Sequence, residues 1–130
     1  MKTILVFLAV VGLLIPIPVK AQSTLALQEK CAEGAREWLK DHPSGAIHSH
    51  SSHYNKKLST CFIRIDCFIS ETGTQLVQLY DTSESGLIQS RLIGSYSQTK
   101  NGALTGCYVG TRKCESRTEF DSLIKPYMEE

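Results

Sequence analysis

The chain lacks most of the sequence marks that announce a chemistry. It contains no Cys-x-x-Cys pair and no Gly-x-Ser-x-Gly, and its 9 glycines stand singly. A dithiol redox centre, a nucleophile elbow and a glycine-rich phosphate cradle therefore have no signal here. Charge of one sign is also missing. The 14 basic residues nearly balance 13 acidic ones, and no block of like charge occurs. Nucleic acid is thus not an expected partner, nor is any other polyelectrolyte. There is no internal repeat, and the only long apolar run lies at the N-terminus.

That run, Ile4 to Ile15, follows Lys2 and is broken by Pro16 and Pro18, with Val-Lys-Ala at 19–21. A positive start, a short apolar middle and a small residue at the end form the layout of a secretory signal peptide, with cleavage expected between Ala21 and Gln22. A spanning helix needs ~20 apolar residues, so no stable membrane span is expected after cleavage. Removing the first 21 of 130 residues leaves 109, read as a single α+β domain over residues 22–130. Without Lys2 and Lys20, 12 basic residues face 13 acidic ones, a formal charge of −1. The expected location is secreted or periplasmic.

What the chain does have is cysteine: Cys31, Cys61, Cys67, Cys107 and Cys114. In an exported chain these read first as disulfide partners. Two bridges and one free thiol can be drawn in roughly fifteen ways, so counting does not give the connectivity. Cys107 and Cys114 bracket Tyr-Val-Gly-Thr-Arg-Lys. A strand out, a turn near Gly110 to Arg112 and a return would bring their Cα atoms to the ~5.5 Å that a disulfide needs. Cys31 could pin a helix to a strand through Cys61 or Cys67. Those two lie roughly 20 Å apart on an extended strand and cannot pair with each other. A catalytic thiol is disfavoured, because a cysteine on an isoleucine-rich face is held protonated.

Leu27, Cys31, Ala35, Trp38 and Leu39 share a helical face, predicting a helix over 24–40 that Ser23 or Thr24 caps and Pro43 stops. Residues 46–56 read as a polar loop. Residues 58–70 alternate as a strand, with Cys61, Ile63, Ile65, Cys67 and Ile69 on a core face and Phe62, Arg64, Asp66 and Phe68 opposite. Further strands are expected over 75–81, 87–97 and 104–110, separated by short turns. Ser116 and Glu119 have capping-box spacing for a last helix, which Pro126 is expected to end. The fold expected is α+β: an N-terminal helix, a three- to four-stranded antiparallel meander and a C-terminal helix, with the helices on one face. The other face, carrying Phe62, Phe68 and Tyr80, would then be free to meet a partner.

His48, His50 and His53 fall within six positions. His48 and His50 would point the same way in an extended segment, and His53 could join if the chain curls. Three imidazoles could hold zinc, copper or nickel. The plainer reading is a solvated loop, since Ser44, Ser49, Ser51 and Ser52 favour turns and the cluster has no carboxylate to orient a ring. Otherwise the chain calls for no cofactor.

Two segments, HYNKKLSTCFI at 53–63 and CESRTEFDSLIKPYMEE at 114–130, resemble those of a class of small, secreted, uncharacterised bacterial proteins. In that class Tyr-Asn-x-Lys-Leu-x-x-Cys opens a strand, and Glu-Phe-Asp-x-Leu-Ile-Lys-Pro-Tyr-Met-Glu-Glu closes the chain. The resemblance covers about a fifth of the sequence. It implies export and a Cys107–Cys114 staple, and it implies no activity. It also suggests that His53, at its edge, helps hold a strand entry. The functional expectation is a non-enzymatic binding or interaction domain whose partner is a protein or small ligand. The alternatives are a histidine-loop metal-binding protein and an inhibitor of an envelope or extracellular hydrolase, presenting the loop at Gly110 to Lys113.

Overall fold

The computed structural model describes residues 23–41, 47–82 and 90–129. The expected signal peptide, Pro43, Ser44 and the side chain of His48 lie outside that set. The order is α1 (Thr24–Asp41), β1 (Ile47–Asn55), β2 (Thr60–Ile69), β3 (Thr74–Asp81), β4 (Arg91–Gln98), β5 (Leu104–Val109), β6 (Arg112–Lys113) and α2 (Arg117–Met128). All six strands form one antiparallel sheet in sequential order. The α+β architecture is therefore as expected, with six strands in place of three or four. The extra ones are β1, where a loop was expected, and the two-residue β6 that returns the chain to Cys114.

The helices do not share a face. Strand β2 is apolar on both sides, and each side has its own helix. Ile63, Ile65 and Cys67 pack with Ala35 and Trp38 of α1. Phe62 packs with Val77, Leu79, Tyr96, Phe120 and Ile124, beneath α2. The expectation of an uncovered sheet face is thereby corrected. Phe62 is 2% exposed and meets the Tyr127 ring at 5.2 Å. Tyr80 lies on the opposite face, 5.1 Å from Trp38. Of the three residues proposed for a partner surface, Phe68 alone is exposed.

Local signals account for the helix ends. Ser23 Oγ accepts from the Ala26 amide, starting α1. Ser116 Oγ accepts from the Glu119 amide, and the Glu119 carboxylate accepts from the Glu115 amide, starting α2. Pro126 does not end α2, which continues to Met128. Proline is costly in a helix interior, yet here the final turn is held from outside. Asn55, fully buried in β1, donates from Nδ2 to the carbonyls of Pro126 and Tyr127 at 2.8 and 3.3 Å.

Asn55 Oδ1 also accepts from the Leu58 amide at 2.9 Å, fixing the turn between β1 and β2. One side chain thus joins a hairpin to a helix end. Asn55→Ala is expected to lower stability by about 2 kcal/mol, because it leaves buried main-chain groups unpaired. Urea denaturation of the variant measures this.

A second close fit lies at Gly94 of β4. A Cβ there would stand 2.9 Å from the Tyr108 carbonyl oxygen, 3.1 Å from Val109 Cγ2 and 3.4 Å from the Phe120 ring. The missing side chain lets Phe120 lie against the sheet. Gly94→Ala is expected to cost about 1–3 kcal/mol by overpacking, read as a lowered melting temperature.

Candidate functional site

The cysteines are placed first. Cys31 of α1 is bonded to Cys61 of β2, with Cα atoms 5.6 Å apart, and Cys107 is bonded to Cys114, 5.0 Å apart. Cys67 is the buried free thiol. Burial, then the charge of Asp66, raises its pKa, and burial likewise raises that of Tyr80 beside it. Both groups are held neutral in the folded state, whereas the unfolded chain releases their protons at lower pH. The stability they contribute is complete below the unfolded thiol's value of ~8.5 and declines as pH rises through the folded values. Melting temperature should therefore fall above about pH 9, and less so in Cys67→Ala. Iodoacetamide should label Cys67 only after denaturation.

Next come the histidines. The segment 47–55 is a strand, so alternation decides where each ring goes. His50 pairs with Ile65 and shares its side of the sheet, while His53 pairs with Phe62 and shares the other. The two rings diverge rather than converge. Among the described residues, no three His, Cys, Asp or Glu side chains gather closely enough to hold a metal ion. His53 is half-buried, and its Nε2 is shielded from solvent without a hydrogen-bond partner.

His53 lines a groove of about 610 Å³ between β1 and α2. Ser51, Ser52 and Arg64 complete the sheet side. Thr118, Asp121, Ser122 and Lys125 form the helix side, above Ile124 and Met128. Helical spacing brings 118, 121, 122 and 125 to one face of α2, and the strand register sets Ser51 directly opposite Arg64.

The charges here are paired. Arg64 contacts Asp66 at 3.0 Å and Asp121 at 3.1 Å, and Arg117 contacts Asp66 at 2.9 Å and Asp121 at 3.1 Å. The four side chains close a ring of alternating sign that clamps α2 to β2, with the Arg117 guanidinium 5.5 Å above the Tyr96 ring. These hydrogen-bonded carboxylates raise the Arg64 pKa even though its burial acts the other way. Lys125 pairs with Glu129 at 3.4 Å, and Ser122 Oγ donates to the Thr118 carbonyl. The groove presents hydroxyls, an imidazole and internally neutralised ion pairs beside a small apolar floor. Such a lining suits reversible hydrogen bonding to a polar ligand or to main chain.

A further contact lies at the strand's outer side. Gln28 of α1 donates from Nε2 to the Ser52 carbonyl at 3.0 Å, and its Oε1 accepts from the Tyr54 amide at 2.7 Å. One carboxamide supplies both bonds that a neighbouring strand would make there. Nothing in the sequence distinguishes Gln28 from other polar residues of α1. The Arg64–Asp66 neighbourhood was foreshadowed by their same-face spacing, but their partners on α2 were not.

Comparison with family models, with curated proteins and with solved structures returns no match. Among the described residues, no helix is long and apolar enough to cross a membrane.

Proposed function

We propose that this is an exported, disulfide-stabilised binding domain, without catalytic activity, that captures a protein or small polar ligand at the groove between β1 and α2. The groove carries the reading: its polar groups converge from regular elements that the ion-pair ring pins together. Export is supported by the N-terminal sequence pattern and by the two disulfides.

A second reading follows from the Cys107–Cys114 loop. Gly110, Thr111, Arg112 and Lys113 are all exposed within it, as an inhibitory loop of a hydrolase inhibitor would be. The two readings separate in one experiment. Immobilised protein is offered an extract of exported proteins, alongside Ser51→Trp, which fills the groove, and Arg112→Glu, which alters the loop. Loss of capture in the first variant alone supports the groove. Loss in the second alone supports the inhibitor, and equal retention in both removes both sites.

A further inference from the structure

We infer that the open edge of β1, beside the groove, accepts an extended acidic peptide as an additional strand of the sheet. This deepens the binding-domain reading and rests on it. Strand β1 is the first of the six, so among the described residues one of its sides has no neighbouring strand. The register fixes which main-chain groups face that side. The Cys61 carbonyl accepts from Thr82 beyond β3, so even-numbered residues of β2 turn toward β1. Their partners are Ser49, Ser51, His53 and Asn55. Even-numbered residues of β1 therefore point outward, in agreement with Gln28 reaching Ser52 and Tyr54 from that side.

Gln28 covers only part of the edge. The Ser52 carbonyl and Tyr54 amide are taken, whereas the His50 amide and carbonyl and the Ser52 amide face outward beyond it. Accessibility follows the same division. Ser49, His50 and Ser51 are exposed, while Ser52, His53 and Tyr54 are half-buried. An added strand would find three main-chain partners at this open end. Its side chains directed to the α2 side would enter the groove at Ser51. Natural edges are commonly blunted by charge, proline or a covering group, and here the covering group stops short.

Charge complementarity selects the partner. Residues 47–60 contain three histidines, Lys56 and Lys57, and no carboxylate. The nearest carboxylates on the α2 side, Asp66, Asp121 and Glu129, already engage Arg64, Arg117 or Lys125. A peptide bearing carboxylates would meet no carboxylate from β1 or the β1–β2 turn, and only paired ones on the α2 side.

The probe is a short blocked peptide alternating valine and glutamate, with a valine–lysine peptide as counterpart, titrated into the ¹⁵N-labelled mature protein. The expected result is that the His50 and Ser52 amides shift and gain protection from hydrogen exchange with the glutamate peptide. Ser52→Pro, which removes an outward N–H and no β2 bond, should weaken binding about tenfold. Alternate N-methylation of the peptide should abolish binding without any change to the protein. Gln28→Ala should tighten it by lengthening the open edge.

The inference is overturned if those amides stay unmoved, or if the lysine peptide binds equally well. It is also overturned if the same shifts appear with rising protein concentration alone, since the edge would then take a second copy. If the peptide fails while Ser51→Trp still loses capture from extract, the groove reading stands and the edge reading falls.

Discussion

Replacing Cys31 and Cys61 together by serine should lower the unfolding free energy by about 3–4 kcal/mol, the larger effect of the two disulfides. The bond spans 30 positions and links α1 to β2, whereas Cys107–Cys114 spans 7. Closing the longer loop removes more freedom from the unfolded chain. The shorter bond is expected to contribute about 2 kcal/mol on the same basis. For a domain of this size the first change corresponds to a fall of roughly 15 °C in melting temperature. Calorimetry of the two double-serine variants tests the order. An equal or reversed pair of shifts would show that the α1–β2 bond does not act through chain freedom.

Phe120→Ala is expected to cost about 3–5 kcal/mol. The ring is fully buried, lies 6.0 Å from the Tyr96 ring and fills the space above Gly94. Its removal leaves a cavity that neither the rigid strands nor the clamped helix can readily close. Leu123→Ala, one turn on and only partly buried, should cost clearly less. Urea denaturation with an unchanged slope would assign the loss to the native core. If the two variants lost equal stability, α2 would be held mainly by its ion pairs and not by its apolar face.

Sequence periodicity reveals an element when one of its faces is apolar and the other is not. Helix α1 meets that condition. Strand β3, with Val77 and Leu79 on one face and Leu76 and Tyr80 on the other, is marked instead by the turn residues that bound it. The expected bounds of both lie within one residue of those observed. Strand β1 does not meet the condition. As an edge strand it carries serine and histidine on both sides, and its pairing is specified by β2 and by Asn55, neither of which alters its own pattern. Strand β2 misled differently. Its Arg64 and Asp66 mark one face as solvent-facing, yet Arg117 and Asp121 arrive from α2, more than fifty positions on, to neutralise them. A polar pair on a strand does not by itself distinguish water from a covering helix with matching charges.

The candidate site was legible to a similar degree. The staple Cys107–Cys114 could be read from a turn between two cysteines, because all of its geometry is local. The choice of Cys61 over Cys67 could not, since both share a face and only the position of α1 on the sheet selects one. The histidine cluster had no local signal of its strand character, and alternation then separates His50 from His53. The groove joins the β1–β2 hairpin to α2, some fifty positions on, and Gln28 acts from a further element, α1.

Asn55 reaches 71 and 72 positions along the chain for its Pro126 and Tyr127 acceptors. That reach sets an order of events during synthesis. While the nascent chain ends short of residue 126, the β1–β2 turn can form but Asn55 has no helix end to hold, and Phe62 has no Tyr127 to cover it. Non-local closure of this kind delays the committed fold until Pro126 and Tyr127 have been made. The segments at 53–63 and 114–129 are, in this light, the two halves of one late-closing latch.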